Sequence, residues 1–215
     1  MTYFDDLRNH FKKHKPSFYP AFPNRKNNIA AGVLVALYDD PDLTCLMTQR
    51  SSALKDHSGE MCFPGGKRQP EDTSLQETAL REAREEINLR ATVIGKLSSI
   101  PLYTSDFRLE PYVALAQTPL QNLRSNTEVE HIVPISIRHI FEQPFLEGTP
   151  FTYQGQSLVS PHFRPGHLLQ NPFFTKVTYG GTAIVLYELL QQIAIITDQK
   201  LPPIKVVDWP KDLSS

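Results

Sequence analysis

The segment from Phe63 to Leu89, FPGGKRQPEDTSLQETALREAREEINL, constrains the chain more than any other because it carries a helix start, a period and a charge problem together. Ser74 followed by Glu77 has the spacing of a capping box, in which hydroxyl and carboxylate satisfy N–H groups that a first helical turn leaves unpaired. A helix beginning near Leu75 is predicted. At about 100° per residue, Glu82 and Glu86 fall about 40° apart, and Glu85 lies about 60° from Glu82 on the other side. Three carboxylates therefore share one stripe. Leu80, Ala83 and Ile87 occupy the neighbouring face and can pack on a sheet, while Arg81 stands one turn before Glu85 and can pair with it.

Carboxylates this close repel one another unless something compensates, and a divalent cation with oxygen ligands is the usual compensation. Magnesium or manganese fits, and no soft ligand set for zinc is visible. Gly65 and Gly66 read as a turn whose backbone can approach a metal or a phosphate closely. Taken singly, REAREE is also what a solvated helix face looks like, and Pro64-Gly65-Gly66 what any turn looks like. Their combination in this order favours a metal-phosphate site.

The order Gly66, five residues, Asp72, then Arg81-Glu82-Ala83, one residue, Glu85-Glu86, then Ile87, Asn88 and Leu89 resembles the Nudix box of the Nudix hydrolases. Two departures stand out: eight residues separate Asp72 from Arg81 where the general pattern has seven after a glutamate, and Asn88 replaces the usual glycine. Asn tolerates a left-handed helix end. Further segments are similar to the coenzyme A pyrophosphatase branch of that family. They are Leu46-Met47-Thr48-Gln49-Arg50-Ser51 with Leu54, His57, Ser58-Gly59-Glu60 and Phe63-Pro64-Gly65-Gly66, then Asn126 to Pro134, and Tyr179-Gly180-Gly181-Thr182-Ala183 with Tyr for the more usual Trp.

This resemblance implies an α/β/α sandwich with a mixed central sheet and a loop-helix-loop catalytic motif. It implies a pyrophosphohydrolase using Mg²⁺ or Mn²⁺, with Glu82, Glu86 and Glu85 as metal ligands and coenzyme A or a derivative as substrate. Arg81 would hold Glu85 in place. The general base is Glu85 or an acid of the loop carrying Glu128 and Glu130. Arg50 and His57 lie just upstream of the glycines, where they can meet substrate phosphate, and the Gly65-Gly66 backbone would complete the metal shell or phosphate cradle; His57 reads equally well as a structural histidine. The alternatives are a Nudix hydrolase for ADP-ribose, dinucleotides or oxidised nucleotides, and a non-catalytic nucleotide-binding module.

The rest of the chain reads as support. Its 215 residues, 40% hydrophobic, fit one globular domain with a full core. A net charge of -1 gives no basic field for nucleic acid or a membrane surface. Cys45 and Cys62 do not form a disulfide framework, which points to a cytoplasmic protein, and Cys62 reads as a small packed residue. Residues 1–28 form an N-terminal extension whose basic amphipathic helix lies on the domain or on a second subunit of a homodimer; 29–198 form the Nudix-like domain, and 199–215 a peripheral tail. Ile29 to Tyr38 is too short to span a membrane and reads as a buried central strand, paired with Thr44 to Arg50 across an Asp39-Asp40-Pro41-Asp42 turn. Ala91 to Ile100 and Tyr112 to Gln117 read as strands joined by a loop, PLYTSDFRLEP, long enough to shape a substrate pocket. A strand at HIVPI, a short helix ending near Phe141, a hairpin around Gln154-Gly155-Gln156 and a buried helix from Gly181 to Ile196 complete the expectation.

Overall fold

An apolar run such as residues 29–38 has no polar face to offer water, so as a strand it must be covered on both sides. The computed structural model, which describes residues 3–39, 42–54, 57–169 and 176–209, shows how. Helix α1 (Tyr3–Lys13) precedes strands β1 (Ile29–Asp39), β2 (Leu43–Arg50), β3 (Met61–Cys62) and β4 (Gly65–Lys67), which lead into helix α2 (Leu75–Ile87). Strands β5 (Ala91–Lys96), β6 (Ile100–Pro101), β7 (Phe107–Ala116) and β8 (Val129–Ser136) follow. The chain ends with α3 (Ile137–Phe141), β9 (Leu146–Tyr153), β10 (Gln156–His162), α4 (Pro165–Leu168), α5 (Gly180–Thr197) and β11 (Ile204–Val206).

Strand β1 is central: it pairs antiparallel with β2 and β4 and parallel with β7. On one face Leu34, Ala36 and Tyr38 pack with Ala79, Ala83 and Ile87 of α2. On the other, Val33, Val35 and Leu37 share a core with Leu7 and Phe11 of α1 and Val185, Leu189 and Ile193 of α5. Helices thus cover both faces of a mixed sheet, the α/β/α arrangement expected. Helix α5 is long and apolar enough to cross a membrane by length and composition, but its buried side chains belong to this core.

Of the two placements expected for the helix in residues 1–28, α1 takes the one on the domain, with Leu7 and Phe11 buried in the main core. Two expectations need correction. The stretch 91–100 breaks after Lys96, and β7 begins at Phe107 rather than Tyr112, its first half pairing with Ile29 to Val33 of β1. The tail adds β11, which pairs parallel with β9 beside the β9–β10 hairpin. Gly65-Gly66 is a strand, not a turn. Of the expected Asp39–Asp42 turn, Asp40 and Pro41 lie outside the described residues.

Candidate active site

Local signals set helix α2. Ser74 Oγ accepts the Glu77 N–H at 3.2 Å. The Glu77 carboxylate does not return to Ser74, however; it takes the N–H and hydroxyl of Thr73 at 2.7 and 2.6 Å, so the box closes one residue upstream. Asn88 ends the helix at φ 56°, donating its N–H to the Arg84 carbonyl. The carboxylate stripe is thereby fixed in rotation over the sheet.

Strand β4 runs beneath that stripe, with Gly65 opposite Val33 and Gly66 opposite Gly32. Neither glycine has positive φ. Their requirement is space: a Cβ on Gly65 would stand 2.5 Å from the Gly32 carbonyl oxygen, and one on Gly66 2.5 Å from Glu82 Oε1. Gly65 N–H donates to Glu86 Oε2 at 3.2 Å. Burial, with the neighbouring Glu82, pushes the Glu86 carboxyl up to about 8, against the pull of the Gly65 N–H and Arg50. Burial also raises Glu82, opposed by Arg81. Glu128 adds to the repulsion felt by both acids, which puts its exposed carboxylate in their field.

Arg81 joins the site to its frame. Its guanidinium reaches Asp72 by two bonds, Nε to Oδ1 at 2.9 Å and Nη2 to Oδ2 at 3.0 Å, and also Glu82 and Glu85 at 2.9 Å and the Lys67 carbonyl at 3.2 Å. The expected Arg81–Glu85 pair is present as one contact of several. Asp72 takes the Gln69 N–H and Thr78 hydroxyl as well, at 2.9 Å each. Arg81 first, then the Gln69 N–H, holds its carboxyl well below the usual carboxylate range.

Arg50, at the end of β2, lies close enough to Glu86 and Cys62 to lower both, and its Nε is buried without a hydrogen-bond partner. Cys62 hydrogen-bonds Thr48 and burial pushes its thiol up to about 11, so it is a packed thiol. His57 is exposed at φ 56°, with Nδ1 3.0 Å from Glu60 Oε2, so its partner is an acid of its own loop. Glu60 Oε1 also accepts the Tyr179 hydroxyl at 3.0 Å. Glu130 takes the Ser52 N–H at 3.0 Å, while the Glu128 carbonyl takes the Ser51 N–H at 2.8 Å. The two loop acids thus differ: Glu130 ties the loop to the segment after Arg50, whereas Glu128 is exposed and close enough to Glu82 and Glu86 to raise both.

Among the described residues no three His, Cys, Asp or Glu side chains converge as a ready-made ligand set. Glu85 is turned onto Arg81. Glu82 and Glu86, flanking a bare glycine backbone, nevertheless suit a hard divalent cation: they are oxygen donors, and one is a buried carboxylate that its surroundings leave largely uncompensated. Sequence reasoning missed Asp72 as the anchor of Arg81 and the contact between Glu60 and Tyr179. Asp72 stands at the box position where a glutamate is usual, which was a usable signal; nothing local pairs Glu60 with Tyr179.

A family model described as NUDIX domain matches residues 28–137. A protein of Photorhabdus laumondii subsp. laumondii named uncharacterized Nudix hydrolase NudL is 32% identical over 199 residues, covering 91% of this chain and 100% of that protein. A protein of the same name from Yersinia pestis (strain Pestoides F) is 30% identical over 181 residues, covering 83% of this chain and 85% of it. Among solved structures, a NUDIX hydrolase from Nitrosomonas europaea is 13% identical, with a TM-score of 0.49 over 92% of this chain and 85% of that one.

Proposed function

This chain belongs to the Nudix family, and from that premise we propose that it cleaves the diphosphate of coenzyme A or a derivative, giving 3′,5′-ADP and 4′-phosphopantetheine. That it is a Nudix hydrolase acting on a pyrophosphate-containing substrate follows from its family; coenzyme A is the substrate we propose. One observation carries it. The three segments similar to the coenzyme A branch lie far apart in sequence yet touch around the residues that follow Arg50: Ser51 on Glu128, Ser52 on Glu130, and Tyr179 on Glu60. Segments that share one likeness and one place are well explained by one substrate.

Glu82 and Glu86 would hold Mg²⁺ or Mn²⁺ beside the Gly65-Gly66 backbone, and such an ion, when bound, neutralises diphosphate charge and lowers the pKa of an attacking water. The Gly65 N–H fixes the Glu86 carboxylate, and Arg81, anchored on Asp72, fixes Glu82 and Glu85. Arg50, close enough to Glu86 to lower it, carries a planar guanidinium suited to a phosphate oxygen. A carboxylate taking the proton of the water contributes about 10² to 10⁴ in rate. Glu128 is the candidate we favour for this, since it is exposed and close enough to raise both Glu82 and Glu86, whereas Glu85 is engaged by Arg81.

Hydrolysis of coenzyme A, ADP-ribose and NADH at equal concentration, with products separated by chromatography, tests the reading. Preferred release of 3′,5′-ADP from coenzyme A supports it, and turnover of ADP-ribose or NADH alone overturns the substrate.

A further inference from the structure

We infer that the aromatic cluster formed by Phe22, Tyr103 and Tyr153 is a platform for the nucleobase of the substrate, with Tyr103 as the ring on which the base lies. The inference depends on the reading above only in taking the ligand to be a nucleotide. Tyr103, between β6 and β7, is 74% exposed. Its ring packs edge-on against Phe22 at 5.4 Å between centroids, and Phe22 packs likewise against Tyr153 at 4.9 Å. Tyr103 is the open end of an edge-to-face cluster of three rings.

The backbone beneath it is held by polar contacts that owe nothing to the rings. Asn27, buried at φ 44°, shares its Nδ2 hydrogens among the carbonyls of Leu102, Ser105 and Phe107 at 2.9 to 3.0 Å and accepts the Phe22 N–H on Oδ1. Arg25 Nε donates to the Tyr103 carbonyl at 2.9 Å. The Lys26 N–H donates to Asp106 Oδ1 at 2.9 Å. So much order around an exposed ring adds nothing to the core. It does lower the entropy lost when a flat ligand stacks, which is what base recognition by aromatic rings exploits.

The location fits a nucleotide held at the acid cluster. Because β1 and β7 are parallel and β4 is antiparallel to β1, the starts of β1 and β7 and the end of β4 share one end of the sheet. Tyr103 follows β6, whose Pro101 pairs with Arg108 near the start of β7, so it stands at that same end of the sheet. Lys67, next along from Gly66, holds its ammonium 4.9 Å from the centroid of the Phe107 ring. Exposed Lys67 and Arg25 thus place positive charge beside the platform, Lys67 at the Phe107 ring and Arg25 at the Tyr103 backbone.

The test is calorimetric binding of 5′-AMP and of ribose 5-phosphate, which lacks the base, to the full chain and to its Tyr103→Ala and Tyr103→Phe variants. Tyr103→Ala should weaken 5′-AMP by about tenfold, while Tyr103→Phe stays within about twofold and ribose 5-phosphate is unaffected. Unchanged 5′-AMP affinity in Tyr103→Ala overturns the platform, as does an equal loss for ribose 5-phosphate. No turnover is read, and a 5′-phosphoadenosine moiety occurs in coenzyme A, ADP-ribose and NADH alike. Failure of the coenzyme A assay therefore leaves this result standing, and failure here leaves the hydrolysis standing.

Discussion

Arg81 meets Asp72 through two hydrogen bonds in a fork, 2.9 and 3.0 Å long, and the same guanidinium holds Glu82 and Glu85. Asp72 is therefore a positioning residue. Asp72→Asn keeps the shape but removes the charge that fixes the fork, so Arg81 is drawn onto Glu82 and Glu85 and their placement is lost. Turnover should fall by about 10- to 100-fold, the usual cost of losing a group that orients a metal ligand, and Arg81→Lys should lower it likewise, since an ammonium has no fork. Steady-state kinetics of both variants check this.

Gly66 and Gly32 face each other in adjacent strands, yet alanine at the two should fail differently. A Cβ at Gly66 meets only the end of the Glu82 side chain, at 2.5 Å. Gly66→Ala should fold, with turnover down by about 10²-fold as the carboxylate is pushed aside. At Gly32 the Cβ would meet the Leu75 carbonyl oxygen at 2.3 Å, backbone that cannot swing away. Gly32→Ala should show a large loss in thermal unfolding, with residual activity following the folded fraction.

The Tyr179 hydroxyl holds Glu60 from the far side of the loop that carries His57. Tyr179→Phe deletes one hydrogen bond, worth about 1 kcal/mol. The KM for coenzyme A should rise about fivefold with kcat nearly unchanged; an equal fall in kcat would mean that the loop acts in the chemical step.

Burial lowers the pKa of His167, helped by Arg164, His162 and His139 and opposed by Glu147. Its Nδ1 accepts the Arg164 N–H at 3.2 Å, a bond the protonated ring cannot make. The folded state thus binds this proton less readily than the unfolded chain, whose value is near 6.5, and its contribution to stability declines as pH falls below about 6.5. The melting temperature of His167→Gln should vary less between pH 7.5 and 5.5 than that of the wild type, and equal slopes would refute the assignment.

Much of this was legible where the determining interactions are local. The start and end of α2 follow from Ser74 and Asn88, and the buried β1 from an unbroken apolar run. What was misread depends on partners distant in sequence. Gly65 and Gly66 suggested a turn because glycine permits one; their actual requirement, contact with Gly32 and Glu82, is invisible until β4 is paired. Phe107 to Pro111 read as loop because Arg108 and Glu110 look solvent-seeking. In the fold both are buried, Arg108 capping the carbonyls of Tyr19 and Asn27 and Glu110 accepting the Ser99 hydroxyl at 2.6 Å. Within the site, the helix period groups Glu82 and Glu86, but it could not show that Arg81 is shared among Asp72, Glu82 and Glu85 or that Glu130 is tied to Ser52.

The most direct measurement is coenzyme A hydrolysis as a function of Mg²⁺ concentration for the wild type and Glu86→Gln, with 3′,5′-ADP quantified by chromatography and folding checked by circular dichroism. The account predicts metal-dependent release of 3′,5′-ADP by the wild type and, in a folded Glu86→Gln, turnover lower by about 10²-fold or more. Near-normal turnover in that variant would contradict the assignment of Glu86 and Glu82 as the centre of the site.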